Sequence, residues 1–366
     1  MPERGAPPNV HPIQRRVLKA LSSLSSPLLP DDYLELVNPL WSTRELRGRV
    51  KDVRHETREA ATIAIKPGYR WSGHRPGQYL RIGVDIDGVR HWRAYSLTSD
   101  PYRPDGLISV TVKNVDEGQV SPFLVHQAKP GTIVSLGGVE GDFVLPDEVP
   151  ERLLFITAGS GVTPIMCMLR HLDRCDELGD VALLHSARKT DEVIFGEELR
   201  GLERRHEGFK LHEQLTAEKG RMAPADLEQL CPDWREREAY ISGPSEMLDA
   251  FSEHFDQHGD CDRLHMERFQ PKLGLGESGE GEGGPIKFLK SDCETESDGS
   301  VPILVAGEDA GLDLPYGCRE GICHTCVGEL RSGRVRDLRN GKVYGQDGEV
   351  IRTCISAPEG PVEIDL

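Results

Sequence analysis

The chain has 366 residues, with 44 basic and 61 acidic side chains and a formal net charge of −17. This length predicts two or three domains, and the excess of acid argues against a nucleic-acid partner, because phosphates need a basic surface. No stretch approaches the roughly 18 apolar residues of a membrane span. The N-terminus lacks an apolar signal core. The cysteines other than a group near the C-terminus are scattered and indicate no disulfide framework, so we expect a cytoplasmic protein.

Residues 1–46 form a polar, proline-rich arm around one amphipathic segment, residues 13–24. Its apolar side chains recur at helical spacing and share a face: Ile13, Val17, Leu21 and Leu24. Two interpretations stay open. The arm packs on the following domain, or it docks on a partner or a membrane surface.

Residues 47–148 show short alternating strands separated by Gly and Pro, which predicts an antiparallel β-barrel. Examples are residues 62–66, 78–84, 107–112 and 133–136. One predicted strand carries Arg93, Tyr95 and Ser96. A bound flavin nucleotide needs a flat ring to stack on, a donor near its reactive nitrogen and a cation for its pyrophosphate. These three side chains fit those roles, and we predict a flavin site here.

In residues 149–272 buried strands alternate with helices, which predicts a parallel, doubly wound α/β domain. The first strand, near residues 153–157, leads into Gly159-Ser160-Gly161-Val162-Thr163-Pro164 and a helix. The glycines let the backbone approach a pyrophosphate at the helix N-terminus, and Pro164 suits the first helical turn. A third glycine is missing, so this is not the usual dinucleotide fingerprint.

The next strand ends in His185-Ser186-Ala187-Arg188-Lys189, and no acid follows until Asp191. An acid at this place would hold the ribose hydroxyls of NADH, whereas Ser186 and Arg188 suit a 2′-phosphate. We therefore predict NADPH over NADH. His254 and His258 have a spacing that can bind metal on a helix, but a third ligand is not evident, so a helix surface is the preferred interpretation.

A glycine- and glutamate-rich linker, residues 273–285, precedes a C-terminal domain, residues 286–366. This domain has four cysteines in the plant-type ligand pattern for a 2Fe–2S cluster, with spacing C-x4-C-x2-C and one distant member. They are Cys318, Cys323, Cys326 and Cys354. Zinc is the alternative, but zinc sites usually have two short-spaced pairs and Cys354 stands alone. A 2Fe–2S cluster accepts one electron at a time.

These motifs, in this order, resemble a known family. Residues from Arg47 to Pro271 resemble the ferredoxin–NADP reductase superfamily, and residues from Pro285 look like a plant-type ferredoxin, which implies a C-terminal α+β domain of the β-grasp type. Residues 32–42 and 45–50 look most like actinobacterial reductases that serve membrane fatty-acid desaturases.

The resemblance assigns roles to individual residues. It implies that Arg93, Tyr95 and Ser96 bind FAD, which favours FAD over FMN, with Gly118 and Ser121 at the pyrophosphate. For the nicotinamide nucleotide it implies a lining of Gly159, Gly161, Thr163 and Pro164, closed by the motif that contains Ser242, Gly243 and Pro244. Family members often have Cys where this chain has Ser242, which puts a thiol role in doubt. Phe269 would cover the flavin ring, and Tyr95, Ser96, Ser242 and Phe269 would lie closest to the chemistry.

The expected activity is electron transfer. NADPH delivers a hydride to FAD, and single electrons pass through the 2Fe–2S cluster to a separate acceptor. The first candidate acceptor is a membrane fatty-acid desaturase or hydroxylase, with any membrane association arising through that partner. The alternatives are the reductase component of a soluble oxygenase using NADH, and a redox-sensing binding protein.

Overall fold

The computed structural model describes residues 37–42, 44–86, 88–115, 118–269, 281–312, 314–316, 321 and 324–366. The predicted amphipathic segment 13–24 and most of the linker lie outside these residues. The chain divides into two compact units: one comprises the residues up to Arg90 and Tyr95–Arg268, and the other His91–Ala94 and Phe269–Leu366. Within the described ranges, no helix has the length and apolar character needed to cross a bilayer.

The first sheet contains six strands in the order β4-β3-β6-β1-β2-β5. Their bounds are β1 Leu46–His55, β2 Ala60–Pro67, β3 Tyr79–Ile86, β4 Val89–Ser96, β5 Ile108–Lys113 and β6 Ile133–Glu140. An antiparallel bridge joins Leu97, just after β4, to Val110 in β5, so the two ends of the strand order meet. The predicted antiparallel barrel is confirmed, and a short helix α1, Val120–Pro122, follows β5.

The second sheet has five parallel strands in the order β11-β10-β7-β8-β9. Its strands are β7 Leu153–Ala158, β8 Val181–Ala187, β9 Phe209–Leu215, β10 Glu238–Ser242 and β11 Leu264–Glu267. The helices are α2 Val162–Cys175, α3 Gly196–Arg205, α4 Thr216–Lys219, α5 Leu227–Leu230 and α6 Ser245–His258. The predicted doubly wound α/β domain is confirmed.

Helices cover both faces of this sheet, and strand β7 shows why. Leu153 and Phe155 pack into the core with α2 and α3, whereas Leu154 and Ile156 pack into the core with α5 and α6. A strand that is buried on both faces must be apolar at every position, which explains the continuous run Leu-Leu-Phe-Ile that the sequence presents. His254, on α6, lies against Trp234 with ring centroids 5.2 Å apart and the rings tilted.

The C-terminal unit contains a mixed five-stranded sheet in the order β13-β12-β19-β14-β17 and a three-stranded sheet in the order β16-β15-β18. The strands are β12 Gly284–Phe288, β13 Cys293–Ser297, β14 Val327–Ser332, β15 Val335–Asp337, β16 Val343–Tyr344, β17 Val350–Arg352, β18 Ser356–Pro358 and β19 Val362–Asp365. Helix α7, Ile303–Asp309, buries Ile303, Leu304 and Ala306 in the same core. This is the expected α+β arrangement.

The last residues of the predicted linker are part of this sheet. Gly283 forms a bridge to Glu359, and strand β12 begins at Gly284. Gly283 has φ +63, and a Cβ there would lie 2.4 Å from the Ser297 carbonyl oxygen. These glycines therefore allow backbone segments to pack closely. Composition alone does not distinguish glycines in this role from the glycines of a flexible linker. The domain boundaries themselves remain predictions.

Candidate functional site

The predicted flavin strand is β4, and its last two residues face opposite ways. Ser96 is buried, whereas Tyr95 is half-buried and packs against the barrel core. Arg93 lies two residues before Tyr95 on the same strand and donates from its guanidinium to the Trp92 carbonyl oxygen at 2.8 Å. Because side chains alternate along a strand, Arg93 and Tyr95 share one side and Ser96 takes the other.

A closed turn follows β5, at the predicted pyrophosphate site. The Gly118 N–H donates to the Val115 carbonyl oxygen at 2.9 Å, and the Ser121 hydroxyl accepts from the Val115 N–H at 3.2 Å. A Cβ on Gly118 would lie 3.2 Å from the Ser121 oxygen. The turn thus brings Gly118 and Ser121 together, and the Ser121 hydroxyl retains a proton to donate.

The predicted nucleotide turn begins where β7 ends, and its two glycines are required for different reasons, one for backbone conformation and one for space. Gly159 has φ +55, and a Cβ on Gly161 would lie 2.1 Å from the Ser242 carbonyl oxygen. Thr163 donates its hydroxyl to the Ser160 carbonyl oxygen at 2.9 Å, and Pro164 lies in the first turn of α2. The turn after β7 therefore contacts the end of β10 backbone to backbone.

The turn after β10 makes the reciprocal approach. A Cβ on Gly243 would lie 3.3 Å from the Ala158 backbone nitrogen and 2.6 Å from the Met247 methyl carbon. Pro244 has extended backbone angles and precedes α6, which begins at Ser245. The structure thus brings Gly161, Ser242 and Gly243 together, as expected for residues at the carboxyl ends of neighbouring parallel strands.

This carboxyl edge of the sheet contains two buried hydroxyls. Ser186 is opposite Ala158 in the register of β8 and β7, and Ser242 is opposite Thr157. Neither hydroxyl oxygen has a hydrogen-bond partner among the described residues. Since an unsatisfied buried hydroxyl costs about 1–3 kcal/mol, the edge suits a polar ligand that supplies the missing partners. A nicotinamide nucleotide, rich in hydroxyl and phosphate oxygens, fits these positions.

His185 is a residue of this edge to which sequence reasoning gave no role. Its Nδ1 lies 2.8 Å from the Thr157 hydroxyl, and burial lowers its pKa to about 4. The imidazole is therefore neutral at pH 7 and adds no positive charge toward a phosphate. Arg188, three residues later, is exposed, and its carbonyl oxygen accepts from the Ala217 N–H at 3.1 Å.

Glu267 ends β11, opposite Ser242, and its protonation could not be read from the sequence. Burial and the nearby charge of Asp142 raise the pKa of Glu267 to about 7. A substantial fraction of this carboxyl therefore holds a proton at neutral pH. Phe269 follows two residues later and is half-buried; it and Arg93 belong to the second compact unit.

Two of the four predicted cluster cysteines are described, and both are buried in the C-terminal core. The Cys354 sulfur accepts from the Gly321 N–H at 3.2 Å, and Gly321 has φ +70. Arg352 donates to the Gly321 carbonyl oxygen at 2.7 Å. An N–H directed at a cysteine sulfur suits a thiolate ligand of an iron–sulfur cluster.

Cys326 is fixed by the residue before Cys354. The Thr353 N–H and hydroxyl both donate to the Cys326 carbonyl oxygen at 2.9 Å, which holds the two cysteine-bearing segments side by side. The predicted ligands Cys318 and Cys323 lie outside the described residues. The described pair therefore fits cluster ligation but does not show the complete set.

Three models of protein families match the chain in order. They describe an oxidoreductase FAD-binding domain at residues 51–145, an oxidoreductase NAD-binding domain at residues 155–253 and a 2Fe–2S iron–sulfur cluster binding domain at residues 287–359. Together with the barrel, the carboxyl-edge site and the cysteine segments, they define a flavin- and iron–sulfur-dependent oxidoreductase of the ferredoxin reductase type. The predicted FAD and 2Fe–2S cluster are thereby confirmed over the alternatives FMN and zinc.

Known proteins are similar over most of the chain. An NADPH oxidoreductase of Mycobacterium tuberculosis is 45% identical, covering 97% of this chain and 93% of the relative. The ferredoxin reductase component of 3-ketosteroid-9-alpha-monooxygenase from the same species is 30% identical, covering 78% and 83%. Among solved structures, phthalate dioxygenase reductase covers 87% of this chain and 97% of its own, with TM-score 0.56 and 21% identity, a likeness of fold.

The chain belongs to the ferredoxin–NADP reductase superfamily, in the group whose members carry a C-terminal 2Fe–2S domain. It is an NAD(P)H-dependent oxidoreductase that uses FAD and a 2Fe–2S cluster.

The raised pKa of Glu267 predicts a specific dependence of stability on pH. The folded state holds this proton up to about pH 7, whereas an unfolded glutamate releases it near the ordinary value of 4.5. Stability from this group is therefore present at low pH and is lost as pH rises through 7. Glu267→Gln should gain thermal stability relative to the native chain between pH 5 and pH 8, measured by differential scanning fluorimetry.

Glu207→Gln, at an exposed turn, is the matched control and should give a curve parallel to the native one. Parallel curves for Glu267→Gln as well would show that Glu267 ionises normally.

Proposed function

We propose that this chain is an NADPH-dependent reductase that passes electrons singly to a separate oxygen-activating iron enzyme. A membrane fatty-acid desaturase or hydroxylase is the first candidate acceptor. The observation that carries the choice of donor is the exposed Arg188 shortly after the buried hydroxyl of Ser186, with no acid before Asp191.

The preference for NADPH follows from the charges at the end of β8. Ser186 offers a buried hydroxyl, Arg188 offers an exposed guanidinium, and the neighbouring His185 is neutral. No acid lies between Ser186 and Asp191 to hold the ribose hydroxyls of NADH. The printed name of the Mycobacterium tuberculosis relative, NADPH oxidoreductase, supports the same donor.

The residues near the flavin act by orientation and by holding protons. When bound, FAD accepts a hydride and releases electrons one at a time, as a 2Fe–2S cluster requires. Tyr95 presents a flat ring for stacking, and Ser96 can donate a hydrogen bond.

Ser242 supplies a hydroxyl where a thiol is common in the family, and Phe269 covers the flavin ring. Glu267, opposite Ser242, holds a proton in a site shielded from water.

For the metal centre, we propose Cys318, Cys323, Cys326 and Cys354 as the cluster ligands. The buried positions of Cys326 and Cys354 and the N–H of Gly321 directed at Cys354 support this set.

Two acceptors are compatible with single-electron delivery. The likeness of residues 32–50 to desaturase-linked reductases favours a membrane desaturase or hydroxylase, which would also bring the chain to a membrane surface. The relatives that are reductase components of monooxygenases favour a soluble oxygenase. A redox sensor is disfavoured, because a sensor has no need of a complete nucleotide site.

The role of Arg188 can be tested by Arg188→Ala. A charge-assisted hydrogen bond to the 2′-phosphate contributes about 1.5–3 kcal/mol, so KM for NADPH should rise by at least about tenfold. KM for NADH should change little, because NADH lacks that phosphate. Steady-state kinetics with both donors measure the difference, with Arg204→Ala on α3 as the control. An equal rise for both donors would contradict the assignment.

Cluster ligation by Cys354 can be tested by Cys354→Ala. Iron and acid-labile sulfide per chain should fall to a small fraction of the native content, since a four-cysteine cluster loses a ligand. Cys293→Ala, on β13 of the same C-terminal unit, should retain the native iron content. Bound flavin provides the internal standard in both variants. Native iron content in Cys354→Ala would exclude this residue as a ligand.

The acceptor can be identified by reconstitution. Purified holoprotein and NADPH would be combined either with membranes containing a di-iron desaturase or with a soluble oxygenase component, each from the same genome. We expect double-bond formation that depends on this chain and is lost in Cys354→Ala. Product only in the oxygenase arm would reject the desaturase acceptor and leave the reductase activity intact.

A further inference from the structure

One face of α2 is polar where a helix between two domains would ordinarily be apolar. Its side chains recur at helical spacing and all contact the segment that follows the flavin strand, residues 98–102. They are Cys167, Arg170, His171 and Arg174. We call this set of contacts the α2 seam.

The first half of the α2 seam binds backbone. The Cys167 thiol donates to the Ser99 carbonyl oxygen at 2.9 Å, and Arg170 donates to the Thr98 carbonyl oxygen at 2.6 Å. His74, from the barrel, also contacts the Ser99 carbonyl oxygen, with its Nε2 at 3.0 Å. Burial raises the pKa of Cys167 to about 12, so this thiol remains protonated and is a hydrogen-bond donor rather than a nucleophile.

The second half of the α2 seam is centred on Asp100, a carboxylate only 8% exposed. Arg174 lies 2.6 Å from one Asp100 oxygen, and His171 Nδ1 lies 3.2 Å from the other. The Arg174 guanidinium also covers the Tyr102 ring at 4.8 Å. Although burial opposes its ionisation, the hydrogen bond from His171 and the charge of Arg174 keep the pKa of Asp100 below its ordinary value.

Beyond the α2 seam the two domains separate. A cleft of about 1060 Å³ opens next to Ser99, Asp100 and Arg170, between strands β1 and β2 on one side and α3 on the other. At the edge of the cleft, Phe195 has φ 62, a backbone conformation that residues other than glycine rarely adopt. The centroid of its ring lies 5.0 Å from the Arg170 guanidinium carbon. Arg170 also forms a two-point ion pair with Glu198 of α3. Arg170 thus connects the segment of residues 98–102 to α3 at the edge of this cleft.

The two sides of the α2 seam are each close in sequence to a predicted cofactor-binding segment. Thr98 is two residues from Ser96 of the flavin strand, and Cys167 is one helical turn from Pro164 of the nucleotide turn. We propose that the α2 seam is a positioning device for hydride transfer, which fixes the flavin strand relative to the nucleotide turn without touching either ligand. Asp100, bound by two side chains of α2, is its principal positioning residue.

The rate of hydride transfer depends strongly on the distance between the reacting atoms. Hydride transfer requires donor and acceptor atoms about 3–3.5 Å apart, and a displacement of about 1 Å can cost about a hundredfold in rate. A contact that holds two backbone segments in register can therefore alter the rate of transfer while leaving the binding of each ligand nearly unchanged.

Asp100→Asn tests the proposal, because it removes the charge but nearly preserves the shape. Asp173→Asn is the matched control, because Asp173 lies on α2 and also binds one histidine and one arginine: Arg205 at the end of α3 and His206 immediately after it. Flavin reduction by NADPH would be followed by stopped-flow absorbance. We expect Asp100→Asn to slow reduction by about tenfold or more, with flavin content and the Kd for NADP+ within about twofold of native.

A second measurement does not depend on activity. Hydrogen–deuterium exchange on the holoprotein should show faster exchange in the peptide covering residues 98–102 for Asp100→Asn, and native exchange there for Asp173→Asn. If Asp100→Asn does not fold, Arg174→Gln removes the same ion pair from a more exposed position. Equal reduction rates for the Asp100 and Asp173 variants, or native exchange in residues 98–102, would overturn the proposal.

Discussion

The nucleotide site depends on one steric constraint, the contact between the turn after β7 and the end of β10. With only 2.1 Å between a Cβ at Gly161 and the Ser242 carbonyl oxygen, no larger residue fits without moving a strand. This approach places the N-terminus of α2 against the carboxyl edge of the sheet. It also buries Ser242 between Thr157 and Glu267, in the register of three adjacent strands. The glycine is therefore the reason that a polar, ligand-ready edge exists at the end of an apolar sheet.

At the same edge, burial sets the charge of two titratable side chains. His185 is neutral because burial without a charged partner disfavours its cation, and Glu267 retains a proton because burial and a neighbouring carboxylate disfavour its anion. Under the proposed function, most of the fixed positive charge for a phosphate would come from exposed groups such as Arg188. A site arranged in this way admits a negatively charged nucleotide at its rim and keeps its interior nearly uncharged.

Much of this organisation could be predicted from the sequence, because it depends on short-range patterns. The barrel strands, the strand Phe209–Leu215 and the turn from Gly159 to Pro164 each have a local signature in spacing or residue type. Other features could not be predicted, because they arise from distant parts of the chain. The protonation of Glu267 depends on its burial and on Asp142, and the α2 seam joins Asp100 to Arg174. Gly283 and Gly284 resembled linker residues, since composition cannot show which backbone they will meet.

The burial of the cysteine segments links the folding of the C-terminal unit to the supply of iron. Cys326 and Cys354 lie in the C-terminal hydrophobic core with Leu330, Ile351 and Ile355, and among the residues that the structure describes, none of this unit belongs to the other three cores. Because metal binding to such a site contributes to the free energy of folding, apoprotein should lose order in this unit first. Iron supply would then set how much of the chain escapes proteolytic turnover, so that its abundance follows the metal that its electron transfer requires.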